Sequence, residues 1–324
     1  MSIYLVTGAA GFIGSKTAEL LLKDGHTVVG IDNLNDYYDP AIKRGRIKAL
    51  KTFKRFAFFP VDIENMPALR RLFKANRFTA VLNLAARAGV RYSMAHPHVY
   101  FTTNVLGTVN LLELCREFGV KKFLLASTSS LYAGQRMPFK ETLPVNTPIS
   151  PYAASKKGAE AACYSWHQLH GIDVSIVRYF TVYGPAGRPD MSVDIFLRNI
   201  SAGKPIDVFG DGLQSRDFTY VDDIARGTIK ALKKVGFEIF NLGSDDPFTL
   251  NHMIGLIEKG LEKKAIIRHK AFHPADIKAT WADVSKARTL LGWKAAVTLN
   301  EGIKRTVDAF LAQPSHKPKR RNAA

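Results

Sequence analysis

The chain has 324 residues, 46% of them hydrophobic, and a formal net charge of +18. That length and apolar content can form a large core, and the absence of an apolar run of about 20 residues excludes a membrane-spanning protein. Cys115 and Cys163 fall in apolar helical patterns, so we expect buried thiols, a cytoplasmic location and no metal site. A strand pattern begins at the N-terminus, so no signal peptide is expected.

Two segments carry much of the positive charge. One runs from Lys43 to Arg55, and the other lies in residues 313–324, a basic tail that we expect to be disordered. Such charge indicates either an anionic partner or a solvated surface. Because no nucleic-acid-binding pattern accompanies it, we expect neither a nucleic acid nor a membrane as partner.

The chain begins with the elements of a dinucleotide site. Ile3–Val6 is an apolar run typical of a buried strand, and Ser15–Lys23 has a helical pattern. Between them, Gly8, Gly11 and Gly14 permit a sharp turn, close backbone approach to a pyrophosphate and close helix packing. The segment predicts a nucleotide site at the helix N-terminus, with an ordinary βα turn as the alternative.

Acidic residues follow the next two predicted strands. Thr27–Ile31 ends on Asp32, which can accept both ribose hydroxyls and would repel a 2′-phosphate, so NAD is predicted rather than NADP. Phe56–Val61 is followed by Asp62, which is placed either to accept the adenine amino group or to cap the helix at 66–74. The polar and aromatic residues 33–40 are predicted to form a loop beside the adenosine.

Strands and helices continue to alternate through the first half of the chain. The remaining predicted elements are strands at 79–83, 122–127 and 174–178 and helices at 97–118 and 151–170. This alternation predicts an α/β fold, with a Rossmann-type doubly wound parallel sheet over residues 1–179 and ligands at the carboxyl ends of its strands.

The alternation stops at Tyr183-Gly184-Pro185. Beyond it we predict helices near 192–202, 221–234, 249–260 and 299–311, and strands at 206–209 and 239–242. Residues 180–220 and 244–312 are predicted to form a smaller C-terminal α/β substrate lobe, while 221–243 rejoin the first domain.

Tyr152 and Lys156 are four residues apart, so they share a face of the helix that Ser150 and Pro151 open. A phenol has a pKa near 10, and a neighbouring ammonium with an oxidised nicotinamide favours its phenolate. The pair could then remove a hydroxyl proton while hydride leaves the same carbon. A hydroxyl among residues 127–130 could bridge substrate and phenol. The alternatives are a surface Tyr–Lys pair and small residues that merely end a strand.

These motifs together resemble the extended short-chain dehydrogenase/reductases and, more narrowly, the UDP-glucuronate 4-epimerases. The narrower resemblance is carried by residues 32–39, 88–93, 183–191 and 216–223, and it extends over about residues 1–312. It implies a catalytic set of Thr128, Tyr152 and Lys156. It also implies NAD as cofactor and a UDP-sugar as substrate.

The resemblance assigns two sets of binding residues. The cofactor set is Gly8, Gly11, Phe12, Ile13, Gly14, Asp32, Asn33, Asp62, Ile63, Leu84, Ala85, Ala86, Asn104, Ser127, Tyr152, Lys156 and Tyr179. The substrate set is Arg91, Ser93, Thr128, Ser129, Tyr152, Thr181, Arg188, Ile206, Val208, Phe209, Arg216 and Asp276. In the second set, Arg188 matches a residue that holds the sugar carboxylate, with a salt bridge at the rim as the alternative.

The implied activity is NAD-dependent 4-epimerisation between UDP-glucuronate and UDP-galacturonate through a transient 4-keto intermediate. The alternatives are a neutral UDP-sugar 4-epimerase, another nucleotide-sugar-modifying enzyme such as a decarboxylase, or a binding protein without turnover. Decarboxylases and dehydratases usually carry an acid after the catalytic Ser/Thr, whereas Ser129 and Ser130 follow Thr128 here. The resemblance also implies a homodimer joined through the helices at 97–118 and 151–169.

Overall fold

The computed structural model describes residues 1–271 and 277–312. Its strands are β1 (Ile3–Thr7), β2 (Thr27–Ile31), β3 (Phe56–Phe59), β4 (Ala80–Asn83), β5 (Lys122–Thr128), β6 (Asp173–Tyr179), β7 (Thr181–Tyr183), β8 (Ile206–Phe209), β9 (Ser215–Tyr220), β10 (Phe237–Leu242), β11 (Pro247–Thr249) and β12 (Ile267–Lys270).

The helices follow the same chain order. They are α1 (Phe12–Lys23), α2 (Pro40–Leu50), α3 (Met66–Ala75), α4 (Val90–Ala95), α5 (His98–Phe101), α6 (Gly107–Glu117), α7 (Pro151–His170), α8 (Ser192–Ser201), α9 (Val221–Lys230), α10 (Leu250–Leu261), α11 (Ser285–Leu291) and α12 (Leu299–Leu311). A π-helical turn spans Thr102–Leu106, and a 3₁₀ turn spans Ser129–Tyr132.

Seven parallel strands form the central sheet in the order β3-β2-β1-β4-β5-β6-β10. The strand order reverses between β1 and β4, which in such sheets is where a ligand crevice opens beyond the carboxyl ends. The predicted Rossmann-type fold is confirmed. β10 pairs with β6, so the chain returns to this sheet after leaving it at β7.

Side chains alternate across the sheet and build a core on each face. Val6 of β1 packs into the core beneath α1 and α2, whereas its neighbour Leu5 packs into the core beneath α3, α6 and α7. Cys115 and Cys163 are unpaired and buried in the second of these cores. A third core joins α8, α10 and α12 to β8 and β9 and forms the smaller lobe.

The structure differs from prediction at two helices. The helix predicted over 97–118 is interrupted by the π-helical turn between α5 and α6. The basic run from Lys43 is part of α2, which begins at Pro40 after Asp39 caps it by accepting from the Ala41 amide. Since α2 directs Lys43 and Arg46 inward, this stretch of charge is not simply a solvated face.

Asp276 and residues 313–324 lie outside the described residues. Within residues 1–271 and 277–312, no helix combines the length and the apolar character needed to cross a membrane.

Candidate active site

A cavity of about 730 Å³ opens beyond the carboxyl ends of the central strands. It brings together the following predicted site residues: Gly8, Gly11, Phe12, Ile13, Gly14, Asp32, Asn33, Asp62, Ile63, Leu84, Ala85, Ala86, Arg91, Ser127, Thr128, Ser129, Tyr152, Lys156, Tyr179, Thr181, Arg188 and Arg216. The cofactor set except Asn104, and most of the substrate set, therefore share one cavity.

The glycine turn fits a dinucleotide diphosphate. Gly8 has a φ of +66°, and a Cβ there would lie 2.8 Å from the Ala85 amide nitrogen. Gly11 precedes α1, whose first turn has no side-chain cap and no acidic residue. Free N–H groups at a helix N-terminus, approached over glycine, form an anion site.

Asp32, directly after β2, and Asp62, after β3, line the same cavity. Asp32 accepts from the Ala10 amide at 3.3 Å, while Asn33 donates to Asp62 at 2.7 Å. A carboxylate beyond the second strand is the group that accepts ribose hydroxyls in NAD sites. The helix cap at α3 is Asn65 rather than Asp62, so the capping alternative for Asp62 is wrong.

Local helix capping positions the reactive pair. Ser150 accepts from the Ala153 amide at 3.2 Å and starts α7, which carries Tyr152 in its first turn and Lys156 in its second. Lys156 donates to the Ala126 carbonyl at 2.8 Å, and a hydrogen bond joins the Tyr152 and Thr128 side chains. Phenol, ammonium and hydroxyl thus meet where β5 ends.

Burial shifts the pKa values of both Tyr152 and Lys156 toward their neutral forms. Burial raises the pKa of Tyr152, against the lowering effects of the Thr128 hydrogen bond and the Arg188 charge. Burial lowers the pKa of Lys156 to about 8, against the charge of Glu160. The site therefore holds a neutral phenol beside an amine whose charge is costly. An oxidised nicotinamide adds the positive charge that favours the phenolate.

We expect Lys156→Met to stabilise the protein near neutral pH. The folded pKa of about 8 lies below the ordinary 10.5, so the folded state disfavours the charged amine by about 3 kcal/mol at pH 7. Between pH 8 and 10.5 the Lys156 amine is protonated in the unfolded chain but not in the folded one. Wild-type stability therefore rises with pH in this range, and the difference in stability between wild type and variant becomes smaller. Denaturant unfolding at pH 7 and pH 10 measures this, with Lys157→Met as control. A less stable variant at pH 7 would contradict it.

A buried charge network supports the end of β5. Ser127 donates to Glu160 at 2.6 Å, and Arg178 donates to both oxygens of Glu160 at 2.9 and 2.7 Å. Arg178 also donates to the Tyr132 hydroxyl at 2.8 Å. Glu160 lies one helical turn beyond Lys156, so the network fixes α7 against the strand that ends in Thr128.

Asn104 was expected to bind the cofactor, but it does not line the cavity. Its side chain donates to the Arg87 carbonyl and to Ser155 Oγ, and accepts from the Arg87 amide, at 2.9 to 3.0 Å. It lies in the π-helical turn, which supplies a buried amide between the loop after β4 and α7. Asn104 therefore positions the residues that form the cavity wall.

Arg188 lines the same cavity and lies after β7, at the start of the smaller lobe. Its Nε donates to Asp190 at 3.0 Å, and its guanidinium lies 5.8 Å from the centroid of the Tyr37 ring. The side chain is 22% exposed, and its positive charge lowers the pKa of Tyr152, against the larger effect of burial. A guanidinium in this position can bind a carboxylate through two N–H groups.

Several residues of the substrate set lie elsewhere. Ile206 and Val208 are fully buried in the core of the smaller lobe, because β8 directs alternate side chains inward. Ser93 is also fully buried and donates to the Val90 carbonyl. Phe209 does not line the cavity but packs on the guanidinium of Arg91, with its ring centroid at 4.1 Å.

The cavity also contains residues that the sequence interpretation missed. They include Lys43, Arg87 and Asp190. Lys43 Nζ lies 3.8 Å from Asp32, and it was missed because its charge resembled that of a solvated helix face. Tyr37 and Tyr38, from the loop predicted over residues 33–40, line the cavity as well. Among the described residues, no cluster of His, Cys, Asp or Glu could hold a metal ion.

Comparison with known proteins agrees with this geometry. Residues 4–243 match the model of the NAD-dependent epimerase/dehydratase family. The chain is 56% identical to a UDP-glucuronate 4-epimerase of Thermodesulfobacterium geofontis over 309 residues, which covers 95% of this chain and 96% of that protein.

Two solved structures illustrate the structural likeness. A Bacillus cereus UDP-glucuronic acid 4-epimerase in complex with UDP-glucuronic acid and NAD is 39% identical, with a TM-score of 0.89 and coverage of 95% and 98% of the two chains. A Thermotoga maritima UDP-glucose 4-epimerase with UDP-glucose is 32% identical, with a TM-score of 0.86 and the same coverage. The resemblance deduced from the motifs is confirmed: the chain belongs to the NAD-dependent epimerase/dehydratase family.

Proposed function

We propose that this protein is an NAD-dependent 4-epimerase that interconverts UDP-glucuronate and UDP-galacturonate through a transient 4-keto sugar. The observation that carries the proposal is that one cavity joins Tyr152, Lys156 and Thr128 to the guanidinium of Arg188. The similarity to UDP-glucuronate 4-epimerases of two other organisms supports the same substrate.

The chain's own groups handle the proton of the C4 hydroxyl. Tyr152 receives this proton as the phenolate and returns it when the sugar is reduced, while Thr128 hydrogen-bonds the phenol. Lys156 keeps its ammonium beside this centre, held by the Ala126 carbonyl. When bound, NAD supplies reversible hydride transfer at C4. The sugar must present both faces of C4 to the same site, so no second catalytic base is needed.

Arg188 provides the basis for choosing a uronate. The 4-keto form of a uronate is a β-keto acid, which loses CO₂ when its carboxylate aligns with the ketone. A two-point clamp by Arg188 would hold the carboxylate away from that alignment. In the structure the Arg188 guanidinium is hydrogen-bonded to Asp190. The substrate carboxylate must therefore displace the Asp190 carboxylate or bind Arg188 together with it. Ser129 and Ser130 supply no carboxylic acid for a second reaction.

Incubation with UDP-glucuronate, UDP-galacturonate and UDP-glucose, followed by NMR of the products, tests the proposal. We expect each uronate to yield the other, without net redox change or CO₂ release. Preferred conversion of UDP-glucose would contradict the choice of uronate and leave a neutral-sugar epimerase. A pentose product would instead indicate a decarboxylase.

We expect Arg188→Gln to lower kcat/KM for UDP-glucuronate about 100-fold, because a charge-assisted bidentate contact contributes about 3 kcal/mol. The rate with UDP-glucose should change less than about threefold, since that sugar has no carboxylate. Arg70→Gln is the matched control, because Arg70 is a half-exposed cation of α3 that pairs with Glu117. Equal losses on both sugars would refute the carboxylate contact.

We also propose a homodimer in the cytoplasm. Phe101 and Leu106 are 44% and 51% exposed near α6, and Tyr164 and Leu169 are 51% and 73% exposed on α7. Two packed helices that present apolar side chains can form a four-helix interface with a second copy. The two buried, unpaired cysteines support a reducing compartment. The mass of the purified protein in solution tests the dimer.

A further inference from the structure

Arg46 of α2 is almost completely buried, and its guanidinium bridges the glycine turn and the segment before Arg188. The residue is 9% exposed. One terminal nitrogen donates to the Ala10 carbonyl at 3.0 Å and to the Tyr38 hydroxyl at 2.8 Å. The other donates to the carbonyls of Ala186 and Gly187 at 2.7 and 3.1 Å. Four acceptors thus share one guanidinium.

The two ends of this bridge lie at segments that carry different groups of the site. Ala10 belongs to the glycine turn, between the cavity-lining residues Gly8 and Gly11, and its amide also donates to Asp32 at 3.3 Å. Ala186 and Gly187 immediately precede Arg188, which lines the same cavity.

The segment before Arg188 adopts a backbone conformation that needs support. Ala186 has a φ of +55°, in the left-handed region that a residue with a Cβ avoids by about 1–2 kcal/mol. Its carbonyl and the next one both point to Arg46. A strained residue persists only where its surroundings hold it. The Arg46 guanidinium therefore helps to fix the backbone from which the Arg188 side chain projects.

We propose that Arg46 is a positioning residue that couples the bound dinucleotide to recognition of the sugar carboxylate. A cofactor that orders the glycine turn fixes Ala10 and therefore Arg46, which in turn fixes the carbonyls before Arg188. The inference rests on the proposed function in one respect: the carboxylate of UDP-glucuronate must bind Arg188. UDP-glucose, which lacks the carboxylate, receives none of this coupling.

Coupling between two ligands is reciprocal, so it can be measured from the cofactor side. UDP-glucuronate, by engaging Arg188, should retain NAD more strongly than UDP-glucose does. The measurement uses the NAD-bound full-length protein with Tyr152→Phe in every arm, which prevents turnover. The dissociation constant of NAD is determined with no ligand, with saturating UDP-glucose and with saturating UDP-glucuronate.

With Arg46 present, we expect UDP-glucuronate to lower the dissociation constant of NAD at least about fivefold more than UDP-glucose does. With Arg46→Lys, which keeps charge but cannot bridge four acceptors, this ratio should fall below about twofold. Arg44→Lys changes an exposed arginine of the same helix and should leave the ratio intact. Ala186→Gly leaves Arg46 in place but frees the backbone, so it should also reduce the ratio.

The readout separates coupling from loss of stability. A variant that only loosens the fold weakens NAD binding with every ligand and keeps the ratio, and that result for Arg46→Lys would overturn the proposal. An unchanged ratio in Ala186→Gly, a variant that leaves the buried charge of Arg46 in place, would also overturn the proposal. If direct titration shows no binding of UDP-glucuronate, the uronate substrate itself is wrong and the coupling falls with it.

Discussion

Tyr152→Phe is expected to lower kcat for epimerisation of UDP-glucuronate by about 10³-fold or more. The substitution removes one oxygen atom, which accepts the C4 hydroxyl proton in the proposed reaction and is hydrogen-bonded to Thr128. General-base groups typically contribute 10²- to 10⁴-fold, and no other described side chain at this point of the cavity can replace the phenol. KM should change little, because the ring itself stays packed against Tyr100, with the two centroids 6.0 Å apart.

The rate is measured by NMR detection of UDP-galacturonate, together with the amount of NAD retained by the purified variant. Tyr4→Phe, at the start of β1 and away from the cavity at the carboxyl ends of the strands, is the control and should keep full activity. A Tyr152→Phe protein that retains NAD and epimerises at more than a tenth of the wild-type rate would remove the phenol from the mechanism.

Glu160→Gln is expected to cost about 3–5 kcal/mol of unfolding free energy, because it leaves a buried guanidinium without its counter-ion. Arg178 and Glu160 are 1% and 3% exposed, and their contact distance is 2.7 Å. Burial by itself would lower the pKa of Arg178, yet the hydrogen bond and charge of Glu160 raise it above its ordinary value. Without Glu160 that support for the charge is lost, but an arginine guanidinium stays protonated in proteins, so the cost cannot be avoided by losing a proton.

Urea unfolding at pH 7 measures this cost, with Glu117→Gln as the matched control. Glu117 pairs with Arg70 at a comparable distance of 2.9 Å, but both side chains are about 40% exposed, so its loss should cost less than about 1 kcal/mol. Equal costs for the two glutamates would show that burial of the inner pair contributes nothing. Because Glu160 also accepts from Ser127, activity should fall in the variant even where it remains folded.

The fold and the reactive pair were accessible from local patterns. The glycine turn, the acid that ends β2 and the four-residue spacing of Tyr152 and Lys156 each depend on neighbours a few residues away. The parallel sheet followed from the alternation of strands and helices, because βαβ units leave little choice of topology. A cavity at the carboxyl ends of its strands followed from that topology.

The course of the substrate lobe was less accessible. Ile206 and Val208 alternate as a strand should, but the pattern does not say which face meets the cavity, and the structure buries both in a separate core. Asn104 was placed against the cofactor, whereas a π-helical turn directs its amide to Arg87 and Ser155. Partners 17 and 51 residues away decide that role.

The amino-acid sequence by itself determined the sheet, the glycine turn and the placement of Tyr152 and Lys156 on one helix, because secondary structure and helix spacing are short-range properties. Only the tertiary structure decided which charges are buried. Arg46 reads as one of many cations on a basic helix, yet its acceptors at Ala10 and Ala186 lie 36 and 140 residues away. A guanidinium can leave water only where such distant carbonyls converge on it, and that convergence arises from packing rather than from any local pattern.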